Sequence, residues 1–327
     1  MSTRRPRVRL TLLAVAATLA AACGGNAPDS PILILDPGPG LPPGAAEITA
    51  APVATTPSTC DPTASLRPVN QPRSGAMPAG STMASIVESG KLRVGVDQNL
   101  FLFSVRNPAT NVLEGFDIDI AKEISQDLFG DPGRVELHPI DTANRVSALV
   151  QNQVDLVVQT FSATCERRRE IEFSSIYFTT QQRILTVKGN GIESAADLKG
   201  RRVCALRGTT TLEAIFKLPN RPTVIGMNNW LDCLTALQQG QVDAASTDMP
   251  ILAGLRKQDP NLHIVGESLA ADNYAVGVQK KDTDLVRFVN GVLERIRNDG
   301  TWTRLFQKHL AGELDPVAGP PAPRYLD

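Results

Sequence analysis

One eight-residue pattern is written twice in this chain. Residues 148–155 read Ala-Leu-Val-Gln-Asn-Gln-Val-Asp, and residues 236–243 read Ala-Leu-Gln-Gln-Gly-Gln-Val-Asp. In each copy an Ala-Leu pair closes a helical face, a polar turn follows, and Val154 or Val242 opens a buried strand. Two copies of one helix-to-strand joint imply two lobes of like build. The flanking pattern agrees. The spacing predicts helices over 83–90, 116–128 and 144–151, strands over 91–96, 134–139 and 154–159, and a charged helical piece over 162–170. After a strand at 183–187 and a helical turn at 195–199, the grammar starts again. Strands are expected at 202–206, 223–226 and 242–246, and helices at 211–217 and 230–239. Alternating strands and helices argue for an α/β fold with parallel-type sheets and crossovers. Ligands bind such sheets beyond the carboxyl ends of the strands, so two lobes of this kind face a cleft.

Composition narrows the function. The 327 residues suffice for one large domain or two medium ones, and 42% hydrophobic against 20% charged residues excludes a fully disordered chain. Lys and Arg number 33 and Asp and Glu 34, so there is no general attraction to nucleic acid. The three histidines, His138, His263 and His309, are far apart, and no CxxC occurs; metal and redox readings are weak and no cofactor is expected. A P-loop is excluded, because no Gly-Lys-Thr/Ser follows Gly208.

The first residues read as an address. Arg4, Arg5, Arg7 and Arg9 precede a short apolar run ending in small residues, which makes 1–22 a secretory signal peptide, too short for a membrane span. Cys23 follows in a Leu-Ala-Ala-Ala-Cys-Gly-Gly context that resembles a bacterial lipobox, with the leucine one place early; the competing readings are plain signal cleavage and a twin-arginine signal. Without residues 1–22 the chain carries 29 basic and 34 acidic side chains, a net charge of −5. Residues 24–80 hold 12 of the 24 prolines, and 24–59 contain no Lys or Arg. That composition predicts a disordered tether over 23–80, and a loose tail over 315–327. With Cys23 lipidated, Cys60, Cys165, Cys204 and Cys233 remain. An even number in an exported chain suggests two disulfides, with three possible pairings.

Several motifs in order carry a family resemblance over about 85–310. They are Gly115-Phe116-Asp117-Ile118-Asp119-Ile120, then Val154-Asp155-Leu156 with Glu166-Arg167 and Phe173-Ser174 downstream. In the second half come Arg207-Gly208-Thr209-Thr210, Val242-Asp243-Ala244 with Asp248, Tyr274-Ala275-Val276-Gly277-Val278, and Asp299-Gly300-Thr301-Trp302. In this order they resemble the polar amino-acid solute-binding proteins of ABC transporters, family 3, with the type II periplasmic-binding fold; glutamine, glutamate and aspartate binders resemble the chain most. The resemblance implies two lobes, one of residues 81–181 with 276–314 and one of 182–275, joined by a hinge. It also implies an extracytoplasmic monomer, lipid-anchored to the outer face of the cytoplasmic membrane, that delivers its ligand to a membrane permease.

The resemblance further implies a site. An amino acid brings a carboxylate and an ammonium into a closing cleft, and each needs a charged, hydrogen-bonding partner. Arg167 stands at the family's carboxylate-binding arginine, and guanidinium binds a carboxylate bidentately. Thr160, Ser162, Thr209 and Thr210 flank it, with the backbone N–H groups of Ser162 and Thr210 as further donors; Thr210 opens a helix. Asp248 stands at the ammonium position, where it also suits a helix N-cap. Asp97 opens the binding loop of the first lobe, and Phe101 or Phe103 is expected to cover the ligand's apolar stem. Acidic amino-acid binders resemble the stretch around Arg145, which makes it the second cation for a ligand side-chain carboxylate. Family members often have a lysine or other polar group where Leu206 stands and a histidine near Thr247; these departures leave glutamate, aspartate, glutamine and asparagine all open. Corynebacterial-type glutamate binders resemble Cys204–Cys233 in position, and Cys60–Cys165 then keeps each bridge within one lobe. Two other functions fit the same fold: a sensory lipoprotein reporting the ligand to a membrane signalling partner, and a dehydratase. No acid–base pair is displayed for the enzyme, so none is expected.

Overall fold

The computed structural model describes residues 40–50 and 60–326; the expected signal peptide and the expected lipidation site Cys23 lie outside the described residues. One sheet has five strands in the order Val135–Pro139, Leu92–Val96, Leu156–Val157, Gly277–Gln279 and Ile171–Phe173. Its first three strands are parallel, and Gly277–Gln279 runs antiparallel to both neighbours. A second sheet has six strands in the order Ala46–Glu47, Thr223–Met227, Arg202–Leu206, Ala244–Asp248, Phe178–Val187 and Leu262–Tyr274. Arg202–Leu206 is parallel to both neighbours. Two sheets, each flanked by helices, make the two lobes.

The repeated joint has a physical reason. Leu149, Val154, Leu237 and Val242 are all buried. In one lobe the Asp155 carboxylate accepts the Arg93 N–H at 2.8 Å; in the other, Asp243 accepts the Arg202 N–H at 2.7 Å. The repeated aspartate thus caps the start of the parallel strand beside its own, satisfying a backbone donor at a strand end. An arginine pairs with each: Arg93 with Asp155 at 2.5 Å, Arg201 with Asp243 at 3.2 Å.

Two strands cross between the lobes. Phe178–Val187 follows the edge strand Ile171–Phe173, and Leu262–Tyr274 leads back to Gly277–Gln279. They pair antiparallel from Phe178↔Tyr274 to Val187↔Leu262, with a register shift between Gln182 and Ile184. The expected strand at 183–187 therefore begins five residues early, because it carries the chain across. The roots of this crossing are packed in aromatic rings: Phe103, Phe116, Phe178, Tyr274, Trp302 and Phe306 stack or meet edge-on at 5.4–6.5 Å. Gly115 begins helix Phe116–Phe129 with φ +139°, and a Cβ there meets the Phe103 carbonyl at 2.2 Å, so only glycine fits.

Three expectations need correction. The expected strand at 154–159 is only Leu156–Val157 by pairing, because the chain turns into the cleft at Thr160, whose φ is +40°. The described parts of the 23–80 segment are attached. Ala46–Glu47 pairs with Thr223–Met227, and Ala64–Ser65 is buried and pairs with Arg324–Tyr325. The tail is attached by that same ladder, and Arg297 donates to the Pro321 carbonyl at 3.1 Å. Composition argued for disorder because these segments have little apolar surface of their own. They are held by partners elsewhere: Arg168 donates to the Ala64 carbonyl at 2.7 Å, and buried Asn290 donates to Ser65 Oγ at 2.8 Å and to the Leu66 carbonyl at 2.6 Å. Disulfides Cys60–Cys165 and Cys204–Cys233 are both formed. Among the described residues no helix is long and apolar enough to cross a membrane.

Candidate ligand-binding cleft

A cavity lies where the two sheets' strand ends face each other. Asp97, Leu100, Thr142, Arg145, Thr160 and Ser162 line it from one lobe. Thr209, Thr210, Thr211, Trp230, Thr247, Asp248 and Ile251 line it from the other. The lobes touch across it: Ser162 Oγ is 3.3 Å from Thr210 Oγ1, and the Gly208 carbonyl accepts from Arg145 at 3.4 Å and from Arg167 at 2.8 Å. The space left is about 20 Å³, room for a water and little more. A solute enters only when the lobes part.

The cations come first. Arg145 opens the helix Arg145–Val150 and is 4% exposed. Its Nε donates to the Thr142 carbonyl at 2.8 Å, and Nη1 to the carbonyls of Gln159 and Thr160 at 3.1 and 3.3 Å. Arg167 is half-buried and donates to the Ser162 carbonyl at 2.6 Å. Both guanidiniums lie over the Phe161 ring, at 4.5 and 5.0 Å from its centre. Among the described residues neither is ion-paired with a carboxylate, and all the acceptors they use are carbonyls. Burial lowers the Arg145 guanidinium to about 9, reinforced by the neighbouring Arg167, and lowers Arg167 in the same direction. Two desolvated cations side by side are unfavourable, and the negative charges of Asp272 and Asp97 offset this only in part.

The carboxylates stand on both walls, Asp97 on the lobe of the cations and Asp248 on the other. Asp248 ends the strand Ala244–Asp248 and is 4% exposed. Its Oδ2 accepts from the Tyr274 hydroxyl at 2.7 Å, while Oδ1 is buried with no partner. It occupies the N-cap position of helix Met249–Gln258 but makes no capping bond. Burial first, and then the charge of Asp272, push its carboxyl up to about 8. Asp97 follows the strand Leu92–Val96; it accepts from the Asn99 N–H at 2.7 Å and from Gln159 at 3.3 Å, and desolvation pushes it upward. Thr209 caps helix Thr210–Phe216 by accepting the Leu212 N–H at 3.1 Å. Thr210 donates its hydroxyl to Asp272 at 2.5 Å.

Of the expected residues, Asp97, Arg145, Thr160, Ser162, Thr209, Thr210 and Asp248 line one cavity, and Arg167 stands beside it, bonded to residues of both walls. Phe101 and Phe103 do not belong to it. Phe103 is fully buried in the aromatic cluster. Phe101 turns outward over helix Met249–Gln258, where its carbonyl and Cβ lie against Gly254 and Lys257 sits over its ring at 5.7 Å. The loop carries Leu102 at φ +76°, which rotates both rings away and leaves Leu100 on the cleft. Sequence reasoning missed Leu100, Thr142, Thr211, Trp230 and Ile251 on the walls, and named Thr247 only as a departure from the family. It also missed Asp272, on the crossing strand Leu262–Tyr274, whose charge acts on both cations and on Asp248. One signal was available: Trp230 is one of two tryptophans in an aromatic-poor chain.

Comparison with known proteins accords with this geometry. The family model for bacterial extracellular solute-binding proteins, family 3, matches residues 92–312. The ABC transporter glutamine-binding protein of Bacillus subtilis is 33% identical over 230 residues, 70% of this chain and 84% of that protein. The glutamate-binding protein of Corynebacterium glutamicum is 27% identical over 248 residues, 72% of this chain and 84% of that protein. The solute receptor for L-cysteine of Neisseria gonorrhoeae superposes with a TM-score of 0.70 at 28% identity, over 74% of this chain and all of that one. The fold, the cleft and the match over most of its length make this chain a member of the bacterial extracellular solute-binding proteins of family 3, a binding protein and not an enzyme.

Proposed function

We propose that this protein captures an acidic amino acid, glutamate or aspartate, with glutamine and asparagine as weaker ligands, and delivers it to an ABC-type permease. One observation carries the reading: a cleft that holds two guanidiniums without a carboxylate partner and, facing them, a buried carboxylate with an orphan oxygen. A dicarboxylic amino acid has two anionic groups and one ammonium, the complement of that set. Arg167 takes the α-carboxylate, Arg145 the side-chain carboxylate, and Asp248 the ammonium. The relatives named for glutamine and glutamate support the class. Lobe one then comprises 81–181 with 276–314 and lobe two 182–275, closing about the two crossing strands, with Cys23 lipidated and the body outside the cytoplasmic membrane.

Calorimetry against the twenty amino acids tests this. Glutamate or aspartate is expected to bind tightest. Glutamine binding more than about tenfold tighter than glutamate, a gap of about 1.4 kcal/mol, removes the acidic reading; no binding by any of them removes the amino-acid reading.

A further inference from the structure

Asp117 belongs to the Gly115-Phe116-Asp117-Ile118-Asp119 motif, yet it does not line the cleft. It sits in the first turn of helix Phe116–Phe129, wholly buried. Both its oxygens are engaged. Oδ1 accepts from the Tyr177 hydroxyl at 2.7 Å, and Oδ2 accepts the Thr160 N–H at 2.7 Å. Thr160 has φ +40°, a backbone state that a β-branched residue rarely adopts. The Thr160 N–H and the Gln159 carbonyl belong to one planar trans peptide, so they point opposite ways. That carbonyl accepts Arg145 Nη1 at 3.1 Å, and the Thr160 carbonyl accepts the same nitrogen at 3.3 Å. One peptide unit is thus held from behind by Asp117 and presents its other face to the cleft arginine.

We propose that Asp117 is a positioning residue of the binding site: it fixes the Gln159–Thr160 peptide and, through that peptide's carbonyl, aims the Arg145 guanidinium at the ligand. The proposal deepens the reading of Arg145 as a ligand-binding cation and rests on it. Without the carboxylate, nothing opposes the return of Thr160 to negative φ, the peptide rotates, and Arg145 loses the acceptors that orient it. The Tyr177 bond extends the same hold to the residue that precedes the crossing strand Phe178–Val187.

Thr160→Gly supplies the test, because glycine adopts positive φ without a side-chain penalty. Calorimetry with L-glutamate and L-glutamine is run on the wild-type mature protein, Asp117→Ala, Asp117→Asn, Thr160→Gly, and Asp117→Ala with Thr160→Gly. Asp117→Ala is expected to weaken the tighter probe about tenfold or more. Thr160→Gly alters a residue of the cleft wall, so it serves as a reference with its own measured affinity; on that background Asp117→Ala is expected to cost less than about threefold more. Asp117→Asn keeps an acceptor for the Thr160 N–H and stays within about threefold of wild type. An equal loss from Asp117→Ala on both backgrounds, or Asp117→Asn as damaging as Asp117→Ala, overturns the proposal. Where Asp117→Ala does not fold, Asp117→Leu takes its place, since it fills the space and accepts nothing. The ¹⁵N NMR signal of Arg145 Nε, which reports its bond to the Thr142 carbonyl, gives a ligand-free readout. It should move in Asp117→Ala and return when Thr160→Gly is added; an unmoved signal overturns the proposal. If no amino acid binds the wild type, the proposed function falls while the NMR comparison still decides about Asp117.

Discussion

Asp248→Asn should make the ligand-free protein more stable and a worse binder. The carboxyl of Asp248 rises from the ordinary 3.8 to about 8 because it is buried beside Asp272 with one oxygen unpartnered. Between those values the native state holds a proton that the unfolded chain has lost. The contribution to stability is therefore complete below about pH 4, falls as pH rises, and stops falling near pH 8. At pH 7 the gap is about three pH units, and holding the proton costs about 4 kcal/mol. Asparagine carries no such cost and still accepts from the Tyr274 hydroxyl. For a body of this size, about 4 kcal/mol corresponds to roughly 8 °C in Tm. Binding moves the other way. A ligand ammonium at Oδ1 favours the ionised carboxyl, so capture below pH 8 releases one proton, and affinity rises with pH up to about tenfold per unit. Asp248→Asn removes that counter-charge at a cost on the order of 2–5 kcal/mol of binding. Thermal melts from pH 4 to 9, and titration calorimetry at pH 6.5 in two buffers of different ionisation enthalpy, read both halves. The reasoning fails if Asp248→Asn melts below wild type at pH 7, or if wild type and variant release the same number of protons on binding.

Three further outcomes are expected. Arg145→Ala should weaken glutamate by on the order of 2–5 kcal/mol and glutamine by much less, because only glutamate leaves a charge unpaired; equal losses in calorimetry contradict the assigned role. Gly208→Ala places a Cβ 3.0 Å from the Ala143 backbone across the cleft, at φ +73°. It should weaken binding about tenfold by holding the lobes apart, at a strain of about 1–3 kcal/mol, with small-angle scattering in saturating ligand reading a larger radius of gyration than wild type; an unchanged Kd contradicts it. Replacing Cys60 and Cys165 by serine should cost about 2–4 kcal/mol in denaturant melts while leaving Kd within about threefold, because neither cysteine lines the cavity; a melt matching wild type contradicts it.

The double joint was legible in the sequence because a helix end, a turn and a buried strand each have their own residue signature. The strand-capping aspartate is part of the repeat itself, so the motif carried its own explanation. Asp97, Arg145, Ser162 and Asp248 were found because the family resemblance implies binding residues at those positions, and all four line the cavity. Phe101 and Phe103 were misplaced because the side of the loop they occupy depends on one backbone state, Leu102 at φ +76°, that no residue type announces. Asp272 was missed for a different reason: it lies within the long crossing strand Leu262–Tyr274, and its role appears only when three other elements converge on it. The N-terminal segment was misread because its order is borrowed. Ser65 and Ala64 are buried by partners more than a hundred residues away.

That segment also gives the molecule a mechanical asymmetry. Ala46–Glu47 and Ile48 ride on lobe two, where Ile48 donates to the Val224 carbonyl at 2.8 Å and fills the space above Gly226. Cys60 is bonded to Cys165 on lobe one. The chain therefore links the lobes a third time, beyond the two strands of the hinge, and the nine residues between Ala50 and Cys60 span at most about 30–36 Å. That length caps how far the jaws can swing apart at this edge. A pull on the chain ahead of residue 40 reaches lobe two first and passes to lobe one only through this third covalent link or through the hinge.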